Sequence, residues 1–233
     1  MSGQVESSVN KNKNWFRDNL ASYSESVAGI DSYDRLSRVM NANLEGAGTT
    51  LDIGNGGVFD YDVSLASSIT AVDLFVDDID KSHYPEHVTF LQGSALALPI
   101  EDATYDTVVI AMLLHHLVGE TPQESLENVR ACIAECRRVL RPGGKLVLAE
   151  SCIPPWFYEF EKQIFPLARR VVEATISHPI TIQYPVDVLK TSLLQVFGDC
   201  EVTHVPKGRF ILQFGVKVPS FITPVEMHVF TAS

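Results

Sequence analysis

Thr49-Thr50-Leu51-Asp52-Ile53-Gly54-Asn55-Gly56-Gly57, answered downstream by Ala71-Val72-Asp73-Leu74, decides the reading of this 233-residue chain. Two short apolar runs each carry an acid, and a glycine-rich turn follows the first. Asp52 and Asp73 stand 21 positions apart, the length of a strand, a turn, a helix and a second strand. Asp73 therefore falls at the carboxyl end of the second strand. Glycines let a ligand approach the backbone closely, and a carboxylate at that strand end can take two ribose hydroxyls. The pattern predicts an adenosyl-group site at the switch point of a parallel sheet.

Two adenosyl ligands compete for it. The dinucleotide fingerprint G-x-G-x-x-G needs a third glycine at position 59. That position is Phe59, preceded by Val58, so a pyrophosphate cradle and a nicotinamide-dependent oxidoreductase are poorly supported. The pattern Asp-x-Gly-x-Gly instead resembles the first motif of the class I S-adenosylmethionine-dependent methyltransferases of small-molecule type. Three further blocks follow in the family's order: Leu91-Gln92-Gly93-Ser94-Ala95-Leu96, Tyr105-Asp106-Thr107-Val108-Val109-Ile110-Ala111, and Arg137-Arg138-Val139-Leu140-Arg141-Pro142-Gly143-Gly144-Lys145-Leu146-Val147-Leu148-Ala149. No single block is specific, but four in order are.

The resemblance implies S-adenosyl-L-methionine as cofactor. It places Asp52, Gly54, Asn55 and Gly56 around the methionine and ribose, and Asp73 and Leu74 at the ribose. Ser94, Ala95 and Leu96 fall at the adenine. The family often has an acid where Ser94 stands; a serine hydroxyl still accepts a hydrogen bond. Ser94, and Val58 at a common glycine position, keep open the alternative of a methyltransferase-like binding subunit without catalysis.

From Thr50 the chain alternates strand and helix. Strands are expected at 50–53, 69–73, 88–92, 105–111 and 145–150, with helices at 62–67, 77–81 and 122–140. Alternation of this kind argues for a parallel sheet covered on both faces. A helix at about 185–197 and strands at 201–206 and 225–231 follow. With the resemblance, this gives an α/β, Rossmann-like sheet of seven strands. It is mostly parallel, has an antiparallel strand at one edge, and carries helices on both faces. Residues 14–45 read as helical, so 1–48 is expected to form an N-terminal helical cap on a core of 49–233. The segment 152–184, opened by Pro154-Pro155 and rich in aromatics, is expected to be a substrate-cap insertion above the cofactor.

Leu113-Leu114-His115-His116-Leu117 follows the fourth strand, where side chains face the crevice at the sheet's carboxyl end. The resemblance implies a base at His115 or His116, with His115 the closer match, and a positioning or structural role for the histidines is the alternative reading. Imidazole suits the task because it titrates near neutrality. Trp15, Tyr23, Trp156, Tyr158 and Phe160 are the candidate acceptor-binding aromatics, although aromatics at helical spacing also build cores. His178, before Pro179, reads as a loop residue. The expected acceptor is a small, partly apolar molecule, methylated at oxygen, with nitrogen and carbon as alternatives.

The net charge of −11 repels a polyanion, and no basic cluster stands out, so no nucleic-acid partner is expected. No apolar run reaches the length of a membrane span, and Met1–Asn14 lacks the apolar stretch of a secretory signal. Cys132, Cys136, Cys152 and Cys200 lack a zinc-site pattern, so reduced thiols in a cytoplasmic protein and no metal are expected. Oligomeric state is not legible.

Overall fold

The apolar runs Leu51–Ile53, Val108–Ile110 and Leu146–Ala149 are buried throughout, with almost no polar alternation. Strands covered on both faces read this way. The computed structural model, which describes residues 30–77, 79–175, 180–213 and 216–233, sets these runs side by side in one sheet. The main elements in chain order are α1 (Asp31–Leu44), β1 (Gly48–Ile53), β2 (Ala66–Asp73), β3 (Val88–Gln92), β4 (Tyr105–Ala111), α2 (Pro122–Val139), β5 (Leu140–Cys152), α3 (Pro155–Thr175), α4 (Val186–Phe197), β6 (Cys200–His204), β7 (Phe210–Gln213), β8 (Val216–Pro219) and β9 (Glu226–Ala232).

The seven-stranded sheet has the order β3-β2-β1-β4-β5-β9-β6. Strands β1 to β5 are mutually parallel, and β9 runs antiparallel between β5 and β6. The last two strands of the sheet thus form an antiparallel pair at one edge. The order reverses between β1 and β4, which creates a crevice at their carboxyl ends.

Helix α1 packs on β5 and β9, held by Lys145 Nζ donating to the Asn43 carbonyl at 2.7 Å and by Thr231 Oγ1 donating to Asn43 Oδ1 at 2.9 Å. Helices α2 and α4 pack on each other, and α4 covers β6 and β9. Thr121 caps α2 by accepting from the Glu124 amide, with Pro122 in the first turn. Gly198, at φ +83°, ends α4 in the left-handed conformation. The four cysteines are buried thiols without disulfides.

Two expected helices are absent among the described residues. The 62–67 segment is a single 3-10 turn at Val63–Leu65, after which β2 starts at Ala66. In the 77–81 segment the described residues form turn and bend, and a 3-10 turn begins only at its last residue, Lys81–His83. Asp62 and Asp80 each accept from the amide two residues on, a local bond that favours a turn over a continuing helix. Beyond each turn, Ser67-Ser68-Ile69-Thr70 and Pro85 favour extended chain. An aromatic cluster packs beside these turns. Phe59 meets Tyr61, Tyr84 and Phe90 at ring-centroid distances of 5.7, 5.8 and 6.5 Å. Phe59, read from the sequence only as a missing glycine, is one of the aromatic side chains packed there.

The β7–β8 hairpin, in a sheet of its own, went unread in the sequence. Asp31 and Ser32 at the start of α1 bond the backbone of Arg209 and Phe210 at the hairpin's entry. No helix among the described residues is long and apolar enough to cross a membrane.

Candidate active site

Strand β1 delivers the chain into a turn that backbone geometry reserves for glycine. Gly54, Gly56 and Gly57 have φ of +75°, +57° and +84°, a region in which a Cβ is strained. Gly54 donates to the Val72 carbonyl at 2.7 Å, which ties the turn to β2. A Cβ on Gly54 would also lie 2.7 Å from both δ-carbons of Leu113. The glycine turn therefore touches the segment that carries the two candidate histidines.

Asp73 ends β2 beside this turn. Its Oδ2 accepts from the Gly56 amide at 3.0 Å and its Oδ1 from the Phe75 amide at 3.1 Å. Burial raises its pKa, and the backbone donors oppose the rise. Each oxygen keeps a second lone pair for a ribose hydroxyl. The next strand ends alongside, where the Gly93 amide donates to the Asp73 carbonyl at 2.9 Å. Ser94 and Ala95 follow, half-buried, with Leu96 exposed; Ser94 Oγ accepts from the Leu96 amide at 3.3 Å. Leu74, half-buried, offers its carbonyl to Gln92. The structure thus gathers Gly54, Asn55, Gly56, Asp73, Leu74, Ser94, Ala95 and Leu96 at one end of the sheet.

Asp52 is fully buried beneath the turn. Tyr61 Oη donates to its Oδ2 at 2.7 Å, while its Oδ1 has no hydrogen-bond partner among the described residues. Burial pushes its pKa up to about 7, against the lowering effects of the Tyr61 bond and of the neighbouring Asn55 side chain. The Asn55 side-chain amide nitrogen is also buried without a partner, while its oxygen accepts from the Gly57 amide at 2.8 Å. An unsatisfied acceptor and an unsatisfied donor at one turn are costly unless a ligand pairs them. An amino-acid end, with ammonium and carboxylate, is complementary to both. The turn, these orphan atoms and the Asp73 carboxylate fit S-adenosylmethionine.

Strand β4 ends at Ala111 and is followed by Met112, a non-glycine residue at φ +52°. Such a conformation is uncommon and concentrates at functional sites. It is held by the Met112 amide donating to the Ala149 carbonyl at 2.9 Å. The chain then forms the 3-10 turn Leu114–His116 over the end of the sheet. His115 Nδ1 lies 2.6 Å from Glu150 Oε1, and the His115 amide donates to Glu150 Oε2 at 3.3 Å. Glu150 is wholly buried at the end of β5. Its Oε1 also accepts from the Ser151 amide at 2.7 Å and from Ser151 Oγ at 3.2 Å. Gln183 Nε2 in turn donates to Ser151 Oγ at 2.8 Å. A carboxylate only accepts, so His115 carries its hydrogen on Nδ1 and leaves Nε2 as an acceptor. The His116 ring lies over that of His115, with centroids 4.0 Å apart.

Glu150 was not singled out in the sequence. The signal was present: an acid closing the apolar strand Leu146-Val147-Leu148-Ala149 must be buried and needs donors.

The segment 180–184 lines the far side of the histidine turn. The Ile182 amide donates to the His115 carbonyl at 3.1 Å, and the Ile153 amide to the Tyr184 carbonyl at 3.2 Å. Tyr158, on α3, is buried with its ring 5.7 Å from that of Tyr184. Trp156 and Phe160, on the same helix, are 67% and 50% exposed, so the structure parts them from Tyr158. Glu161, one residue further along α3, is pushed up to about 7 by burial, and its Oε2 has no hydrogen-bond partner among the described residues. Trp15, Tyr23 and His178 lie outside the described residues.

The family profile described as a methyltransferase domain matches residues 50–148, from the first strand through the histidine turn to β5. Over that span the chain is similar to the methyltransferase domains of the class I, S-adenosylmethionine-dependent type. The demethylmenaquinone methyltransferase of Beutenbergia cavernae is 31% identical over 134 residues, 47% of this chain and 50% of that protein. The ubiquinone/menaquinone biosynthesis C-methyltransferase UbiE of Syntrophotalea carbinolica is 29% identical over 137 residues, 54% of this chain and 53% of that protein. The chain spans about half the length of these relatives. In fold, it is similar to the Burkholderia thailandensis 1,6-didemethyltoxoflavin-N1-methyltransferase, solved with its substrate and S-adenosylhomocysteine. That match has a TM-score of 0.63 and 15% identity, and covers 100% of this chain and 92% of the other.

Proposed function

We propose that this protein transfers a methyl group from S-adenosylmethionine to a hydroxyl on a small, largely apolar aromatic ring. The observation that carries the reading is the His115–Glu150 pair, which stands beside a glycine turn suited to the cofactor. The cofactor supplies an electrophilic methyl on a good leaving group. Positioning accounts for much of the acceleration, and the chain adds a base. His115 Nε2 would take the proton from the acceptor hydroxyl and so make its oxygen nucleophilic. Glu150 fixes the tautomer and stabilises the imidazolium that results, as the buried acid does in other base–acid pairs.

Gly54, Asn55, Gly56, Asp52, Asp73 and Leu74 hold the methionine and ribose in this reading, and Ser94, Ala95 and Leu96 hold the adenine. The segment 152–184 acts as the acceptor cap, with Tyr158 on its inner side and Trp156 and Phe160 toward the opening. Trp15 and Tyr23, outside the described residues, are the further candidate contacts of the acceptor. Four buried thiols without disulfides fit a reducing, cytoplasmic setting. A net charge of −11 fits a small acceptor better than a polyanion.

The names of the relatives favour a second reading for the acceptor atom: the ring carbon of a reduced quinone. The same base would serve it: removing a hydroxyl proton sends electron density to the neighbouring ring carbon that would take the methyl, and loss of the hydrogen on that carbon, with return of a proton to the oxygen, restores the aromatic ring. Incubation with methyl-labelled cofactor and a panel of dihydroxynaphthalenes, catechols and aryl amines tests both readings. Label on oxygen supports the first reading and label on the ring carbon the second. Transfer to amines alone, or to none of these in a protein that binds the cofactor, contradicts both.

A further inference from the structure

The edge pair β6–β9 carries a cluster that methyl transfer does not use. His204 and His228 are direct cross-strand partners, and Glu226 lies two residues before His228. Strand alternation puts all three on one face. One ligand atom from each lies within 4.8 Å of the others. His204 Nε2 stands 3.7 Å from Glu226 Oε2, and the two imidazole centroids are 5.1 Å apart. The buried Nδ1 of His228 has no hydrogen-bond partner among the described residues. Lys207 Nζ lies 3.3 Å from Glu226 Oε1 and donates to the Thr223 carbonyl at 3.4 Å. The lysine therefore holds one carboxylate oxygen and leaves the other facing His204.

We propose that His204, Glu226 and His228 form a divalent-metal site of zinc type at the edge of the sheet. Two imidazole nitrogens and one carboxylate oxygen are a borderline donor set. Such a set selects zinc or a neighbouring late first-row ion over magnesium or calcium, which take oxygen. Tetrahedral zinc bonds of about 2.0–2.1 Å hold their ligand atoms roughly 3.3–3.4 Å apart. The His204–Glu226 separation is already close to that, and small side-chain rotations close the rest. Three protein ligands leave a fourth position for water. Lys207 orients the carboxylate as a partner outside the coordination sphere.

The ion ties edge strand β6 to β9 and hence to β5. Glu226 pairs with Cys152, and His228 with Glu150, across β5–β9. The site therefore lies one strand away from the His115–Glu150 pair. The three ligands were hidden in the sequence because 22 residues separate His204 from Glu226; only the antiparallel pairing joins them.

The test uses the intact protein, stripped with a chelator and dialysed. ZnCl2 is titrated against a chromophoric competitor, and CoCl2 is added in a parallel sample. One equivalent of zinc, a rise in Tm on binding, and the visible absorption of tetrahedral Co2+ are expected. His228→Ala, His204→Gln and Glu226→Gln should each weaken zinc binding by at least ~10-fold, while His83→Ala, an exposed histidine paired with Asp80, should leave it unchanged. S-adenosylhomocysteine binding by each variant checks that it is folded. Absence of tight zinc binding by the native protein, or unchanged binding in all three folded ligand variants, overturns the proposal.

Discussion

His115 Nδ1 and Glu150 Oε1 stand 2.6 Å apart, with the glutamate wholly buried and the imidazole side chain 12% exposed. The pair joins the end of β4 to the end of β5. Its geometry fixes the ring through Nδ1. A buried acid that accepts from His115, from the Ser151 amide and from Ser151 Oγ is built to stay in place.

Removing the base should cost more than removing its partner. His115→Ala is expected to lower kcat by ~10²–10⁴-fold with cofactor affinity nearly intact. Glu150→Gln keeps the shape but can present its amide to Nδ1 and so invert the tautomer, and a loss of at least ~10²-fold is expected. Steady-state kinetics with the acceptor from the labelled-methyl panel check both. Losses below about threefold in both variants would leave positioning as the source of the rate.

Asp52 makes stability fall as pH rises. Its carboxyl is buried, with a pKa near 7 in the folded protein against 3.8 for the ordinary group. Between those values the folded chain binds a proton that the unfolded chain has lost, so stability contributed by this group is full below about pH 4 and lost by about pH 7. Asp52→Asn should therefore raise Tm at pH 8 and leave it nearly unchanged at pH 4, in the cofactor-free protein. In the proposed site the cofactor's ammonium draws off this proton. Calorimetry of S-adenosylhomocysteine binding in buffers of different ionisation enthalpy should then show proton release near pH 6.5, absent in Asp52→Asn.

Gly54 is predicted to be a requirement of the protein as much as of the ligand. Gly54→Ala places a methyl against Leu113 at φ +75°, with an expected loss of roughly 1–2 kcal/mol from backbone strain alone and a lower kcat, because Leu113 leads into the histidine turn. Adding Leu113→Ala should recover part of both losses, measured by chemical denaturation and by rate. No recovery would mean that the methyl intrudes only on ligand space.

The sheet was legible because its strands are apolar and β-branched and are punctuated by Asp52, Asp73 and Pro142-Gly143-Gly144. All seven of its strands were expected near their observed positions. The short links after β1 and β2 were not legible. Nothing in periodicity distinguishes a brief helix from a 3-10 turn capped by Asp62 or Asp80, and the aromatic packing of Phe59 against Tyr84 and Phe90 is a contact between distant segments. At the site, the positions of Asp73 at the end of β2 and of His115 just after β4 were readable. Glu150 was not, because its meaning depends on the β4–β5 pairing that sets it beside His115. The aromatics of α3 divided by exposure, with Tyr158 turned to Tyr184 and Trp156 left outward, a division that depends on where 180–184 runs.

Calorimetric titration of S-adenosylhomocysteine into the native protein and into Asp73→Asn tests the cofactor assignment most directly. The asparagine retains the size of the side chain but loses the charge and one acceptor oxygen. The account predicts one site per chain in the native protein, no detectable NAD binding, and affinity weakened in the variant by about 10–150-fold, the equivalent of ~1.5–3 kcal/mol for a hydrogen bond to a charged group. Equal affinity in the two proteins, or NAD binding in place of S-adenosylhomocysteine, would contradict it.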